Sequence, residues 1–164
     1  MESQGNLETK RLYLDDLAVG QRFTSASHAV DRDEIVAFAR QFDPQPFHLD
    51  EAAARGTLFG GLAASGWHTA ALTMRLQVET GLPIAGGIVG AGGEFSWPNP
   101  TRPGDVLRVE TEILEVKPSR SRPDRGMVTV KSETRNQRGE SVFTLTARLV
   151  VPRRPVGDGQ AKNS

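Results

Sequence analysis

SGWHTAALTMRLQVET, residues 65–80, is the longest segment of this sequence with a helical pattern, and the predicted architecture is built around it. Few charges interrupt its first three turns, which is typical of a buried helix. Gly81-Leu82-Pro83 ends the pattern, because glycine favours a helix C-terminus and proline cannot continue a helix. The apolar residues of the pattern are Trp67, Ala71, Met74, Leu76 and Val78. We therefore expect one long, buried helix.

Two shorter helices are predicted before this one. Asp31 can cap the first helix while Glu34 reaches back to it, and the prolines at 44 and 46 end it near Phe42. Its apolar face consists of Ile35, Phe38, Ala39 and Phe42. Residues 43–48 should then form a stiff, extended loop. Residues 50–55 can form the second short helix before the Gly60-Gly61 break.

Strands are predicted on both sides of the helices. Residues 14–30 should contain a lead-in segment and a first strand, and from Ile88 onward the apolar pattern shifts toward a period of two. The clearest inward-facing row is Phe143, Leu145, Ala147, Leu149 and Val151. Turns are expected at residues 103–105 and 136–140. This order favours an antiparallel sheet packed around the long helix.

Length and composition bound the class of protein. The 164 residues suit one domain, predicted over residues 11–153, with disordered tails at 1–10 and 154–164. The chain has no Cys, which excludes disulfides, thiolate nucleophiles and Cys-based zinc sites. Lys and Arg together number 20, as do Asp and Glu, which argues against a nucleic-acid partner.

The sequence also predicts a location. It contains no apolar run of the roughly 20 residues that cross a bilayer, so no membrane partner is expected. The N-terminal residues are polar and lack the apolar segment of a secretory signal. The cytoplasm is the expected compartment.

Residues 43–48, Asp-Pro-Gln-Pro-Phe-His, carry most of the chemical information. Asp and His are common acid–base groups, and two prolines restrict the freedom of the segment that holds them. On spacing alone, Asp43 could instead be a turn residue and His48 a structural or exposed side chain. Both interpretations stay open at this point.

This segment resembles the hydratase motif of MaoC-like dehydratases and (R)-specific enoyl-CoA hydratases, in which Asp, then Asn-Pro, an apolar residue and His stand at this spacing. Residues 62–69 are similar to the start of that family's central helix. Arg102-Pro103-Gly104-Asp105, following Trp97, is similar to the start of a later strand. The resemblance covers roughly residues 12–152. It implies an α+β hot-dog fold, with an antiparallel sheet wrapped around a long central helix.

The resemblance also implies a function, the reversible hydration of a 2-enoyl thioester to the (R)-3-hydroxyacyl thioester by syn addition. Asp43 and His48 would hold and activate the water, and His48 would handle the proton at the α-carbon. Gly66 matches the glycine whose backbone N–H binds the thioester oxygen, a role that suits a helix N-terminus. The alternative is that Gly66 only permits close helix–sheet packing.

Two departures from the family pattern leave the substrate open. Gln45 stands where the family usually has Asn, and Ser65 stands where many members have His. Ser65 is interpreted first as a helix N-cap and otherwise as a substrate contact, and Trp67 is a second substrate-binding candidate. Acyl chain length and branching are not predicted, nor whether coenzyme A or acyl carrier protein carries the acyl group.

The partners follow from the same resemblance. The substrate would be an acyl-CoA or acyl-carrier-protein thioester, and no cofactor or metal is expected beyond the coenzyme A of the substrate. A homodimer or higher homo-oligomer with sites between subunits is implied. Core or surface roles are expected for His28 and His68, and the set His48, Asp50 and His68 fits no standard zinc spacing.

Two further segments have simple interpretations. The glycine-rich run 86–93 follows a helix and enters a strand, the reverse of a dinucleotide-binding loop. It should allow close backbone approach or line an acyl tunnel. The basic stretch 118–125 should be a solvated hairpin connection. Contact of Arg120 and Arg122 with coenzyme A phosphates is the alternative.

Two other functions compete with hydration. A hot-dog thioesterase would use a carboxylate on the central helix, and here that helix has no acid before Glu79. A non-catalytic acyl-thioester-binding subunit is disfavoured because both Asp43 and His48 are present.

Overall fold

The computed structural model describes residues 10–157, and a six-stranded antiparallel sheet packed against a central helix forms most of this region. The strand order is β1-β4-β5-β6-β3, with β2 also pairing with β4. The strands are β1 (Arg22–Thr24), β2 (His28–Ala29), β3 (Val89–Ser96), β4 (Val106–Pro118), β5 (Arg125–Arg135) and β6 (Ser141–Pro152). The predicted sheet around a helix is therefore present.

Four α-helices precede β3, and the sequence predicted the limits of the first. Asp31 accepts a hydrogen bond from the Glu34 N–H (2.8 Å), and the Glu34 side chain accepts from the Asp31 N–H (3.2 Å), so the predicted capping box is confirmed. The helices are α1 (Arg32–Phe42), α2 (Pro46–Leu49), α3 (Glu51–Arg55) and α4 (Gly66–Leu76), with a π-helical turn, Gln77–Gly81, continuing α4.

The expectation of an extended loop at residues 43–48 was wrong in its second half. Gln45 is the N-cap residue of α2, and Pro46 occupies the first helical turn. Proline fits that position, because its fixed φ suits a helix and its missing N–H would have had no intrahelical acceptor. His48 consequently lies on a rigid helical turn.

The central helix α4 is buried on one face only. The buried face includes polar as well as apolar side chains. Thr69 and Thr73 of α4, and Gln77 in the π-helical turn that follows, all have side-chain hydrogen-bond partners. Paired hydroxyl and amide groups can be buried at little cost. The predicted buried apolar face was therefore mostly wrong. Of its members only Leu76 is buried, and Trp67, Met74 and Val78 are exposed.

The sheet carries the core, as the alternating pattern predicted. Val128, Val130, Leu149 and Val151 point inward and are at most 5% exposed. One apolar cluster lies beneath the π-helical turn. A second lies between α1, α4 and the sheet, formed by Val30, Ile35, Leu62, Ala64, Leu72, Leu76, Leu107, Val109 and Val142. This second cluster supports the segments that carry residues 43–66.

The C-terminal contacts reach slightly past the predicted domain limit. The Arg154 N–H donates to Asp15 (2.9 Å), and the Arg154 guanidinium donates to Asp16 (2.8 Å) and lies 5.0 Å from the centre of the Tyr13 ring. Residues 1–9 and 158–164 of the predicted tails lie outside the described residues. Within residues 10–157, no helix combines the length and apolar character needed to cross a membrane.

Candidate active site

Asp43 is held at the end of α1 by two hydrogen bonds to its carboxylate. Ser65 Oγ donates to Oδ2 (2.7 Å), and Gln45 Nε2 donates to Oδ1 (2.6 Å). The side chain is 16% exposed, so it is largely enclosed but still reachable. Each oxygen therefore has one fixed donor, and the carboxylate has one defined orientation.

These contacts stabilise the ionised form of Asp43. Partial burial raises the pKa of its carboxyl, but the hydrogen bonds from Ser65 and Gln45 and the charge of His48 lower it by more. The net result is a pKa below the usual 3.8. Asp43 is thus a carboxylate at neutral pH that can accept a further hydrogen bond.

His48 lies on α2 with its imidazole pinned at both nitrogens. Nδ1 is 2.6 Å from the carbonyl oxygen of Ala63, which can only accept, so Nδ1 carries a proton. The other nitrogen, Nε2, lies 3.3 Å from Asp43 Oδ2. The Phe47 and Phe59 rings pack against the imidazole, with centroids 4.6 and 5.8 Å away. Nε2 of His48 therefore faces the Asp43 carboxylate.

Asp43 and His48 share the wall of a cavity of about 330 Å³. Gly66, at the start of α4, lies on the same wall. The remaining lining is mostly apolar and aromatic: Phe59, Ala64, Trp67, Thr69, Trp97, Pro98, Asn99, Pro100 and Thr101. A largely apolar cavity with a few convergent polar groups is the usual form of a small-molecule site.

Two structural features of Gly66 bear on the interpretations that the sequence left open. Gly66 is the first residue of α4, so its N–H has no intrahelical acceptor and lies at the positive end of the helix dipole. Its missing side chain is also required by packing. A Cβ at Gly66 would lie 2.7 Å from Trp97 Cε2, and the Trp97 indole N–H donates to the Gly66 carbonyl (2.8 Å).

Ser65 occupies the N-cap position of α4, but the expected side-chain cap is not formed. Its hydroxyl donates to Asp43 instead, and the side chain is fully buried. The bond to Asp43 uses the hydroxyl hydrogen as donor, and the C-terminal end of α1 brings the carboxylate within reach. Trp67 lines the cavity and is 55% exposed on its other side.

The weaker candidates lie away from this cavity. His28 pairs with Glu34 at 3.0 Å, and the buried His68 stacks on Phe38 with centroids 4.8 Å apart. Nδ1 of His68 has no hydrogen-bond partner among residues 10–157, and burial lowers the pKa of its imidazole below 6.5. The described part of the chain contains no group of three His, Cys, Asp or Glu side chains arranged to hold a metal ion.

The two remaining segments occupy other parts of the sheet. In β3, a Cβ at Gly93 would lie 2.9 Å from the Ala147 Cα, so glycine permits the close backbone approach that was predicted. Residues 118–125 connect β4 and β5 at the far end of the sheet from Trp97. The pairs Ser96–Thr144 and Arg125–Pro152 are eight residues apart along β6, which is about 26 Å.

Several cavity residues were not predicted from the sequence. Residues 98–101, Pro-Asn-Pro-Thr, form one wall, and their two prolines stiffen this loop much as prolines restrict residues 43–48. That similarity was an available signal. Phe59 had none, because it lies in a loop without regular structure.

Comparison with known proteins gives a consistent result. Residues 16–136 match the sequence model of the MaoC like domain. The chain is 34% identical over 116 residues to a 3-hydroxybutyryl-CoA dehydratase of Methylorubrum extorquens, covering 70% of this chain and 72% of that protein.

Solved structures show the same architecture. A MaoC-like dehydratase from Rhodospirillum rubrum is 68% identical, with a TM-score of 0.87 over 88% of this chain and 99% of that one. An (R)-hydratase from Pseudomonas aeruginosa is 26% identical, with a TM-score of 0.70 over 94% of each chain. These likenesses confirm the predicted hot-dog fold.

Proposed function

The chain belongs to the MaoC-like dehydratase family, and we propose that it adds water reversibly to a 2-enoyl-CoA, giving the (R)-3-hydroxyacyl-CoA. The observation that carries this proposal is the 3.3 Å separation of Asp43 Oδ2 and His48 Nε2 on the cavity wall. One water molecule can contact both atoms at about 2.8 Å. Gly66, whose N–H is free of intrahelical acceptors at the start of α4, lines the same cavity.

In this reaction Asp43 orients the water, and His48 acts first as base and then as acid. The Asp43 carboxylate accepts one hydrogen bond from the water and orients it, while His48 Nε2 removes the other proton as the oxygen attacks C3. Electron density moves to the thioester oxygen, which the Gly66 N–H stabilises. The His48 imidazolium then returns its proton to C2. Because oxygen and proton arrive from the same group of side chains, the addition is syn.

Asp43 and His48 are suited to both hydration and dehydration. Nδ1 of His48 stays bonded to the Ala63 carbonyl whether Nε2 is protonated or not, so the ring keeps its orientation through the cycle. The Asp43 carboxylate, with its lowered pKa, stabilises the imidazolium when it forms. In dehydration the same groups act in reverse order.

Thioester cleavage has less support. The central helix has no acid before Glu79, which lies in the π-helical turn and pairs with Arg75 at 3.0 Å on the exposed face. It does not line the cavity. Hydrolysis by a carboxylate on this helix would need an acid that faces the cavity, and the α4 residues that line it, Gly66, Trp67 and Thr69, carry none.

The test is loss of enoyl-thioester absorbance across a panel of 2-enoyl-CoAs, with a thiol reagent present to detect cleavage. Wild type should consume substrate without thiol release, and chiral analysis should identify the R product. Asp43→Asn should lose at least about 10²-fold in kcat, the usual contribution of acid–base catalysis. Asp33→Asn, an exposed Asp on α1, is the matched control and should keep the wild-type rate. Wild-type turnover by Asp43→Asn would refute the assignment.

We also propose that two chains associate through β3 and the outer face of α4. Every residue of β3 is exposed, and as an edge strand it has an unpaired backbone row. Phe95 on β3, and Trp67 and Met74 on α4, are exposed by 48%, 55% and 42%. Light scattering should give twice the 17.8 kDa chain mass, and a stable monomer at micromolar concentration would exclude this association.

A further inference from the structure

Arg102 makes an unusual set of contacts beside the cavity. Its guanidinium donates to the backbone carbonyls of Gly61 (2.9 Å) and Leu62 (3.2 Å) and also to that of Phe59. The acceptors lie about 40 residues earlier in the chain, on the segment 57–62, which has no helix or strand of its own. The Arg102 side chain thus binds the carbonyls of three of the six residues in this segment.

The backbone of Arg102 is also held in place. Its N–H donates to Asp105 Oδ2 (2.8 Å), and Asp105 is 2% exposed. The other oxygen of Asp105 accepts from Gln137 Nε2 (2.9 Å). Arg102 directly follows residues 98–101 of the cavity wall. Its guanidinium therefore links that wall to residues 59–62.

The held segment has two consequences for His48. Leu62 is followed by Ala63, whose carbonyl accepts the His48 Nδ1 proton and so selects its tautomer. Phe59 packs its ring against the same imidazole and against Phe47, 5.0 Å away between centroids. Both the hydrogen bond and the ring contact depend on where residues 59–63 lie.

Other hydrogen bonds also hold this segment. The Leu62 N–H donates to Glu51 Oε2 (3.1 Å), and the Ala63 N–H donates to the Phe47 carbonyl (3.1 Å). Within the segment, the Phe59 N–H donates to Thr57 Oγ1 (3.3 Å) and the Gly60 N–H to the Thr57 carbonyl (3.0 Å), but neither of these turn bonds extends to Ala63. Arg102 supplies three of the contacts that fix it.

We propose that Arg102 is a positioning residue for His48, acting through the backbone of residues 59–63 to keep Nδ1 protonated and Nε2 directed at Asp43. Its planar fork of donors suits several carbonyls at once, which the single ammonium group of lysine cannot match. The catalytic consequence rests on the proposed function, but the effect on the His48 ring does not.

The test therefore has two readouts. Arg102→Met keeps an unbranched apolar stem and removes the donors of the guanidinium. Nitrogen-15 NMR of the imidazoles should show the Nδ1–H tautomer of His48 in wild type and a mixture of tautomers in the variant. With an active enzyme, kcat should fall about 10²-fold, the usual effect of a displacement near 1 Å, with a smaller change in KM.

Controls separate this role from general destabilisation. Arg22→Met removes an exposed arginine paired only with Glu112 and should leave both readouts unchanged. Arg102→Lys keeps the charge and should give an intermediate tautomer mixture, and it carries the test if Arg102→Met does not fold. An unchanged His48 tautomer in a folded Arg102 variant would overturn the inference. Absence of hydratase activity in wild type would instead count against the proposed function alone.

Discussion

Replacing Gly66 by Ala tests the most constrained contact of the site. A Cβ there would lie 2.7 Å from Trp97 Cε2 and 3.0 Å from Cδ2 and Cζ2, whereas carbon atoms normally approach to about 3.5–4.0 Å. Either the indole or the start of α4 must therefore move by about 1 Å. Either movement would distort the hydrogen bond that the Trp97 indole N–H donates to the Gly66 carbonyl.

The magnitude follows from these contacts. Forcing one extra methyl group into a packed site usually costs about 1–3 kcal/mol, and a weakened hydrogen bond lies within that range. We expect the free energy of unfolding to fall by about 2 kcal/mol, which lowers Tm by roughly 4–8 °C in a domain of this size. Because the Gly66 N–H moves too, kcat should fall by about 10²-fold.

The assay combines urea unfolding with enoyl-CoA turnover. Gly56→Ala is the matched control, because a Cβ at Gly56 has nothing within 4 Å and its φ of −85° suits alanine. A Gly66→Ala protein within about 0.5 kcal/mol of wild type would show that the Trp97 contact is not tight. If Gly66→Ala loses stability but keeps the wild-type kcat, Gly66 has only a packing role, and its N–H does not bind the thioester oxygen.

Two further outcomes are expected. Ser65→Ala removes a donor that lowers the pKa of Asp43, so this pKa, followed by carbon-13 NMR of the Asp43 carboxyl, should rise; an unchanged pKa would show that the Ser65 hydrogen bond does not stabilise the carboxylate. Burial lowers the pKa of His68 below 6.5; the charge of Glu34 opposes this shift and that of His28 adds to it. The unfolded chain therefore binds a proton more readily than the folded chain, and the free energy of unfolding should decline as pH falls through 6.5. His68→Phe, which can still stack on Phe38, should flatten that decline in urea unfolding at pH 7.5 and 5, and an equally steep decline would assign it to other groups.

The sequence by itself determined the features that depend on near neighbours in the chain. The capping box of α1 joins residues three apart, the end of α1 follows from nearby prolines, and the inward row of β6 follows from alternation. Asp43 and His48 are only five residues apart with two prolines between them, so their pairing was also predictable.

Only the tertiary structure decided the contacts between distant segments. Ser65 could cap its own helix or reach another group, and the choice depended on Asp43, 22 residues away. The buried face of α4 and its π-helical turn includes polar side chains because Thr73 and Gln77 meet hydroxyl groups more than 30 residues distant. Arg102 reaches carbonyls about 40 residues away, and no local pattern announces such a contact. Short-range hydrogen bonds and backbone sterics can be read along the chain. Long-range partners compete until packing fixes which groups meet, and that packing is a property of the whole fold.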